Sequence, residues 1–295
     1  MALNSTQLSA TSRLFSSSIF RELAAKGKSS LFTRLVRESP LLDLSTTLAT
    51  VGDAFEAAFH LLRTGAHRDE YIYKAALTRN VLLGKHGLNT ASMLTEFRVG
   101  ACRADLAILN GTATVYEIKS ERDSLSRLGS QVEAYQKVFA KVFVIAGENH
   151  VDAVLRSTAP DIGVMLLSKR HRISTVREAT DRPDRICPVT VFESIRSSEA
   201  IRILRDLGID VPKVPNTLLH AELRSIFSGL DADATHRSMV KTLKKTRNLA
   251  PLSELISDLP PSLQAAALTV SVKKTDHPRL VHAVNTPFAD AMGWA

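Results

Sequence analysis

The short segment VYEIKS, residues 115–120, carries an acid and a base two positions apart among strand-forming residues. Side chains at positions i and i+2 of a β-strand point to the same face. Glu117 and Lys119 are therefore expected side by side, on the face opposite Tyr116 and Ile118. Such a pair can hold a metal ion and position a water molecule, or it can be an exposed ion pair worth less than ~1 kcal/mol.

A second acid, Asp105, precedes this segment by one predicted hairpin. Asn110-Gly111 is a strong signal for the turn between the two strands. A two-residue turn places Asp105 opposite Tyr116, and a shift of one residue places it beside Glu117, so the sequence leaves the register open. Two neighbouring carboxylates repel each other unless a cation compensates them. A hard divalent ion such as Mg²⁺ would do so.

The elements that must position these residues follow from the hydrophobic periodicity. Residues 10–65 are predicted to be largely helical, and residues 69–87 to form one helix. Strands are predicted at 93–100, 103–110, 112–120, 141–147, 162–168 and 171–179. Further helices are predicted at 124–140, 150–159, 216–229, 233–247 and 251–268. This order predicts an α/β protein of the α+β kind, in which helices flank a mixed sheet.

The helix predicted after the VYEIKS strand places a polar stripe toward the same region. Arg127, Gln131 and Tyr135 are spaced by four residues and share one helix face. These side chains either point at the acids or form an ordinary half-exposed face.

In this order, Asp105, a hairpin, Glu117-Ile118-Lys119 and a later Gln131-x-x-x-Tyr135 resemble the PD-(D/E)XK nuclease superfamily. The last element is similar to the QxxxY helix of its RecB-like branch. The resemblance covers about residues 69–180 and implies a restriction-endonuclease-like core of order αβββαβ. One departure is Ala104, which stands before Asp105 where the family often has proline.

The resemblance implies hydrolysis of a phosphodiester bond with Mg²⁺ or Mn²⁺. The implied metal ligands are Asp105, Glu117 and the backbone carbonyl of Ile118. Lys119 is expected to position or deprotonate the attacking water, and Gln131 and Tyr135 to orient the phosphate or the lysine. The expected activity is that of a Mg²⁺-dependent deoxyribonuclease, with a role in defence against foreign DNA or in repair.

Other charged residues near these strands have open roles. Glu96 on the first strand is a candidate second metal ligand, an orienting group or plain sheet-edge polarity. Glu70 on the preceding helix is a candidate for reaching the same region. Arg98 and Arg103 are expected to contact the phosphates of a nucleic acid or to pair with acids, and Arg127 to hold the nucleic-acid backbone.

The chain is divided by composition into three regions. These are a helical N-terminal extension (1–65), the nuclease-like core (66–181) and a helical C-terminal region (182–295), which begins at a polar, proline-bearing stretch. Within the last, residues 236–248 are basic and contain no acid. They form either a DNA-contacting helix or the solvated face of an amphipathic one.

Composition bounds the function further. The net charge of +8 over 295 residues favours a polyanionic partner, for which DNA is expected. The two cysteines, Cys102 and Cys187, form no zinc-binding pattern, and no apolar run reaches the length of a membrane span. A cytoplasmic protein is expected, with the helical ends available to a homodimer or a protein partner. The alternative function is a catalytically inert nucleic-acid-binding or protein-interaction protein on the same fold.

Overall fold

A computed structural model describes residues 4–65 and 68–294 of the chain. Contacts divide the chain into two compact units. Unit 1 comprises Met1–Val81, Lys169–Arg172 and Ala250–Ala295, and unit 2 comprises Leu82–Ser168 and Ile173–Leu249. Both ends of the chain thus belong to unit 1.

The helices are α1 (Ser5–Arg13), α2 (Ser17–Lys26), α3 (Ser30–Glu38), α4 (Val51–Thr64), α5 (Glu70–Leu77), α6 (Leu128–Tyr135), α7 (Glu148–Ser157), α8 (Pro188–Ser194), α9 (Ser197–Asp206), α10 (Asn216–Ser228), α11 (Ala232–Thr246), α12 (Ser253–Asp258), α13 (Gln264–Thr269), α14 (His277–Val284) and α15 (Phe288–Ala291). The strands are β1 (Ser92–Val99), β2 (Cys102–Asn110), β3 (Thr112–Lys119), β4 (Lys141–Ala146), β5 (Gly163–Leu167) and β6 (Ile173–Arg177). Short 3₁₀ segments lie at Pro40–Leu44, Pro183–Arg185, Ala250–Leu252, Pro261–Leu263 and Lys274–Asp276.

The helices of unit 1 begin and end at residues suited to those positions. Thr50 and Asp53 form a reciprocal capping box at the start of α4. Gly27 ends α2 in a left-handed conformation at φ 73°, which glycine adopts without steric cost. Phe32 of α3 and Phe55 of α4 are fully buried with ring centroids 5.3 Å apart, so an aromatic contact joins these two helices.

Three predicted helices are corrected by the structure, and one of them, expected at 124–140, is α-helical only over α6. The helix expected at 69–87 is α-helical only over α5 and continues as a π-helix over Thr78–His86. The helix expected at 251–268 is divided into α12 and α13, because Pro260 and Pro261 lie in its middle and proline cannot donate the backbone hydrogen bond of a helix.

Unit 2 is built on a mixed sheet, and within its described residues the six strands follow the order β1-β2-β3-β4-β5-β6. The first three strands are antiparallel, β4 and β5 run parallel to β3, and β6 is antiparallel to β5. The crossovers from β3 to β4 and from β4 to β5 contain α6 and α7, as parallel strands require. The predicted α+β class, a mixed sheet flanked by helices, is confirmed.

The register of the β2–β3 hairpin differs by one residue from that of a two-residue turn. Asn110 pairs with Thr112, and Leu106 pairs with Tyr116. Gly111 alone lies between the paired strand ends, at φ 74°, where a side chain would be strained. The shorter turn moves every position on β3 by one residue relative to β2.

One face of the sheet carries the main core of unit 2. Its strand residues alternate along β3 and β4 and pack against apolar residues from α6, α8, α9, α10 and α11. None of the helices within 4–65 and 68–294 is long and apolar enough to cross a lipid bilayer.

Candidate active site

The acid and base of β3 lie on the face of the sheet that carries this core. Ala113 and Val115 belong to the core cluster, and Glu117 and Lys119 continue their two-residue alternation. Glu117 is 1% exposed to solvent and Lys119 is 5% exposed. The interpretation of this pair as an exposed surface ion pair is therefore wrong.

The ammonium group of Lys119 is held between two acceptors. Its Nζ donates to Glu117 Oε1 at 2.9 Å and to Gln131 Oε1 on α6, also at 2.9 Å. Removing a charge from water costs several kcal/mol, and these two oxygens offset that cost. The contact that was expected between Gln131 and the lysine is thus present.

Tyr135 completes the same cluster from the next turn of α6. Its hydroxyl lies 2.8 Å from Glu117 Oε2 and 2.7 Å from the backbone carbonyl oxygen of Arg103. A phenol carries one proton, so these two acceptors share it. Burial, followed by the nearby carboxylates of Glu117 and Asp105, raises the pKa of Tyr135, and the ring therefore stays a protonated donor. Tyr135 is fully buried and Gln131 half-buried, so a half-exposed face is wrong for Tyr135.

Asp105 lies where the β2–β3 pairing ends. The last paired residues are Leu106 and Tyr116. Beyond them, Asp105 Oδ2 accepts a hydrogen bond of 2.8 Å from the backbone N–H of Ile118. A side-chain oxygen thus takes the place of a strand carbonyl. Continuing the observed register places Asp105 opposite Glu117, which is the arrangement that the sequence offered as its second option.

Glu96 occupies the matching position on β1. Thr95 pairs with Leu106 and Phe97 with Ala104, so Glu96 lies opposite Asp105. Its backbone has φ 52°, a left-handed conformation that costs a non-glycine residue about 1–2 kcal/mol.

The strain at Glu96 coincides with a change in side-chain alternation. Leu94 and Phe97, three residues apart, both join the core cluster, and so do Ala104 and Ala107 on β2. Glu96 itself is exposed, and one of its carboxylate oxygens lies within 4.8 Å of an oxygen of Asp105. The row Glu96, Asp105, Glu117 therefore runs across three neighbouring strands.

The arginines predicted to contact phosphate are all exposed. Arg98 and Arg103 are directly paired across β1 and β2, and Arg98 Nε donates to the carbonyl of Gly100 at 3.1 Å. Arg127 is the residue that precedes α6. Like charges directly opposite each other on a sheet repel, so the Arg98–Arg103 pair is a local concentration of positive charge. Glu70, the remaining candidate, belongs to unit 1 in the first turn of α5.

Sequence reasoning missed one group in this cluster, which is the backbone carbonyl of Arg103. Arg103 was selected for its side chain, whereas its contact with Tyr135 is made by the main chain. A main-chain acceptor has no residue-type signal. The spacing of Tyr135 on a helix that crosses β2 would indicate it only after the register is known.

Comparison with known proteins gives a family for the chain. The model of the family described as Bacteriophage P4 protein cII matches residues 63–250, which is more than half of the chain. This chain belongs to that family. The matched segment of the P4 cII family contains the sheet of unit 2 and the whole cluster around Glu117 and Lys119.

Two individual proteins are similar to it. Protein cII of Enterobacteria phage P4 is 31% identical over 196 residues, which cover 64% of this chain and 68% of that protein. A solved structure, the SPO1766 protein of unknown function from Silicibacter pomeroyi, is 18% identical and covers 40% of this chain and 82% of its own. Its TM-score of 0.28 is too low to support any argument about the fold.

Proposed function

We propose that this protein is a metal-dependent nuclease that hydrolyses phosphodiester bonds, with DNA as its substrate. The observation that carries the proposal is the buried Lys119 ammonium, fixed beside Glu117 and in line with Asp105. A buried ion pair contributes little stability compared with apolar residues of the same volume. A chemical role explains why charged groups occupy this part of the core.

The donor chemistry fits a hard divalent ion. Carboxylate oxygens are the protein ligands that Mg²⁺ prefers, and oxygens bound to one Mg²⁺ lie at most about 4.2 Å apart. Glu96 and Asp105 already bring oxygens within 4.8 Å of each other, so small side-chain rotations would suffice. The residues that would hold Mg²⁺ or Mn²⁺ are Asp105, Glu117, the carbonyl of Ile118, and Glu96. When bound, the ion would lower the pKa of a water molecule and polarise the phosphate.

The remaining residues of the cluster position the reacting groups. Lys119 offers an ammonium that can orient the attacking water and offset the charge on the phosphate oxygens. Gln131 fixes that ammonium from the helix side at 2.9 Å. Tyr135 donates to Glu117 and so holds the carboxylate in one rotamer.

The charge of the surroundings supports a polyanionic substrate. Arg98 and Arg103 lie side by side on the surface of the hairpin that carries Asp105, and guanidinium groups bind phosphate in a bidentate manner. The chain as a whole carries a net charge of +8. Neither similar protein's name states an activity, so the proposal depends on the site itself.

A cleavage assay tests the proposal. Wild type and Lys119→Met would be incubated with supercoiled plasmid and with labelled single strands, in Mg²⁺, in Mn²⁺ and in EDTA. Metal-dependent cutting by wild type, lost at least ~100-fold in Lys119→Met, is the expected result. Lys141→Met, on the neighbouring strand and paired with Asp181 at 3.9 Å, is the matched control and should cut normally.

The inert alternative makes a different prediction. It predicts no carboxylate-dependent Mn²⁺ heat in calorimetry, whereas the nuclease proposal predicts heat that disappears in Asp105→Asn. If wild type neither cuts nor releases such heat, the nuclease proposal is wrong, and a binding function on the same fold takes its place.

A further inference from the structure

A cleft lies between α9 and α11 in unit 2, apart from the cluster around Lys119. Its volume is about 250 Å³. It is lined by Arg202, Arg205, Asp206, Lys241, Thr242 and Lys245. Among these described residues the cations outnumber the carboxylate, so the cleft is positively charged.

Contacts between the two helices hold this cleft in shape. Asp206 on α9 forms an ion pair with Lys241 and accepts a hydrogen bond of 2.9 Å from Ser238 Oγ, both on α11. In the first turn of α9, the buried carboxylate of Glu199 binds the guanidinium of Arg247, the residue that directly follows α11, at 2.9 Å. These contacts join the two helices that form the walls of the cleft.

Both walls of the cleft, α9 and α11, carry positively charged side chains. Arg202 and Arg205 are three residues apart on the exposed face of α9, and Lys241 and Lys245 are four apart on that of α11. Residues at these spacings share one side of a helix. Cations concentrated in this way repel one another unless an anion compensates them, and they raise the local concentration of anionic ligands.

We propose that this cleft binds the sugar–phosphate backbone of a nucleic acid. The cleft is smaller than the roughly 300–1,000 Å³ of pockets for whole small molecules, which suits a phosphate group and its sugar rather than a base. Arginine on one wall and lysine on the other supply bidentate and point-charge phosphate contacts, respectively. The choice of nucleic acid as the source of the phosphates rests on the proposed function.

The basic cleft could not be predicted from the sequence, because its cations come from two separate segments of the chain. The basic segment 236–248 looked like one uniform run, but Arg247 is used inside the protein and Met239, Val240 and Leu243 are buried. What remains exposed is completed by arginines of α9, more than thirty residues earlier.

The experiment is fluorescence anisotropy of the full-length chain with a labelled DNA duplex, in EDTA, at several salt concentrations. The test variant is Arg202→Ala with Lys245→Ala. Its control, Arg21→Ala with Lys28→Ala, removes the same side chains from exposed positions in unit 1. The cleft variant should bind at least ~10-fold more weakly at low salt, and the slope of log K against log salt should fall by about 1.8, or ~0.9 for each lost phosphate contact. The control should retain wild-type affinity and slope.

The outcomes separate this inference from the proposed function. Equal binding by the cleft variant and wild type overturns the cleft assignment, even if the protein cuts DNA. Weaker binding by the variant supports it, even if wild type shows no cleavage and the nuclease proposal fails. A parallel arm uses vesicles of phosphatidylserine and phosphatidylcholine. Vesicle binding that the variant loses, with DNA binding unchanged, would assign the cleft to lipid headgroups and overturn the proposal.

Discussion

Two buried glutamates in unit 2, Glu199 and Glu117, are each paired with a cation, but they accept different numbers of hydrogen bonds. Glu199, 1% exposed, accepts from the Nε and a terminal NH₂ group of Arg247, from the Thr246 hydroxyl and from the Arg196 N–H, at 2.9–3.0 Å. Burial opposes its ionisation, but the hydrogen bonds from Arg247 and Arg196 hold the pKa of Glu199 below its ordinary value.

Glu117 is buried to the same degree but has fewer donors. One oxygen accepts from Lys119, and the other from a tyrosine whose single proton is shared with a carbonyl. A carboxylate has about four lone-pair positions. Glu199 is saturated and joins α9 to α11, whereas Glu117 keeps acceptor capacity in line with two further acids. The comparison teaches that unused acceptor capacity, rather than burial, distinguishes a candidate reactive carboxylate from a structural one.

The largest expected contrast concerns activity. Asp105→Asn and Glu117→Gln should each lower metal-dependent DNA cleavage at least ~100-fold, because they remove the charge that would hold the ion. Glu199→Gln should leave the cleavage rate of the folded protein unchanged. Initial rates on plasmid, normalised to folded protein by circular dichroism, measure this. Cleavage by Asp105→Asn at the wild-type rate would show that the carboxylates in line with Glu117 do not hold a catalytic ion.

The second contrast concerns stability. Glu199→Ala should lower the free energy of unfolding by about 3 kcal/mol, because it leaves the Arg247 guanidinium unpaired over Phe97. This value is at the low end of the usual range because 24% of the Arg247 side chain is exposed. Urea unfolding measures it. Glu193→Ala removes an exposed partner of Arg224 and should cost less than ~0.5 kcal/mol. A loss equally small for Glu199→Ala would show that its hydrogen bonds do not clamp the helices.

A smaller effect tests Tyr135 as a positioning residue. Tyr135→Phe should lower kcat about 10-fold with KM unchanged, and should destabilise the fold by about 1–2 kcal/mol, because Glu117 Oε2 and the Arg103 carbonyl lose their donor. Tyr116→Phe is its control. Tyr116 is buried on the opposite face of β3, where it stacks on Phe143, so kcat should not change. An unchanged kcat in Tyr135→Phe would restrict that residue to packing.

The smallest effect uses a third buried polar group of unit 2, His236 on α11. Its Nε2 accepts the N–H of Ala113 at 3.2 Å, which requires the neutral ring. Burial lowers the pKa of His236 in the folded state, despite the nearby carboxylates of Asp181 and Asp233. The stability from this contact is therefore complete above the ordinary histidine pKa of ~6.5, and declines as the pH falls through the lower folded value. Urea unfolding between pH 7.5 and pH 5, as approximate limits, should show a steeper acid decline in wild type than in His236→Leu.

The candidate reactive pair could be predicted from sequence because its spacing is local. A two-residue alternation fixes Glu117 and Lys119 on one face, and a four-residue spacing fixes Gln131 and Tyr135. The register of Asp105 could not be predicted, since it depends on whether Gly111 alone or Asn110 with Gly111 forms the turn.

The structural pair had no local pattern of this kind. Glu199 and Arg247 are 48 residues apart in sequence, and the basic stretch that contains Arg247 gave no sign that one of its cations is used internally. The left-handed conformation of Glu96 in β1 could not be predicted either, because a strand pattern indicates side-chain polarity and not backbone torsion.

The left-handed conformation of Glu96 lowers the stability of the folded protein, and this is the cost of having a carboxylate at this position. Glycine would adopt φ 52° without the steric cost and would gain about 1 kcal/mol of native-state stability, less its greater chain entropy when unfolded. It would also delete the carboxylate next to Asp105. A laboratory selection for heat resistance alone would thus tend to erase the acid, whereas a selection for metal-dependent cutting would retain it and tolerate a less stable protein.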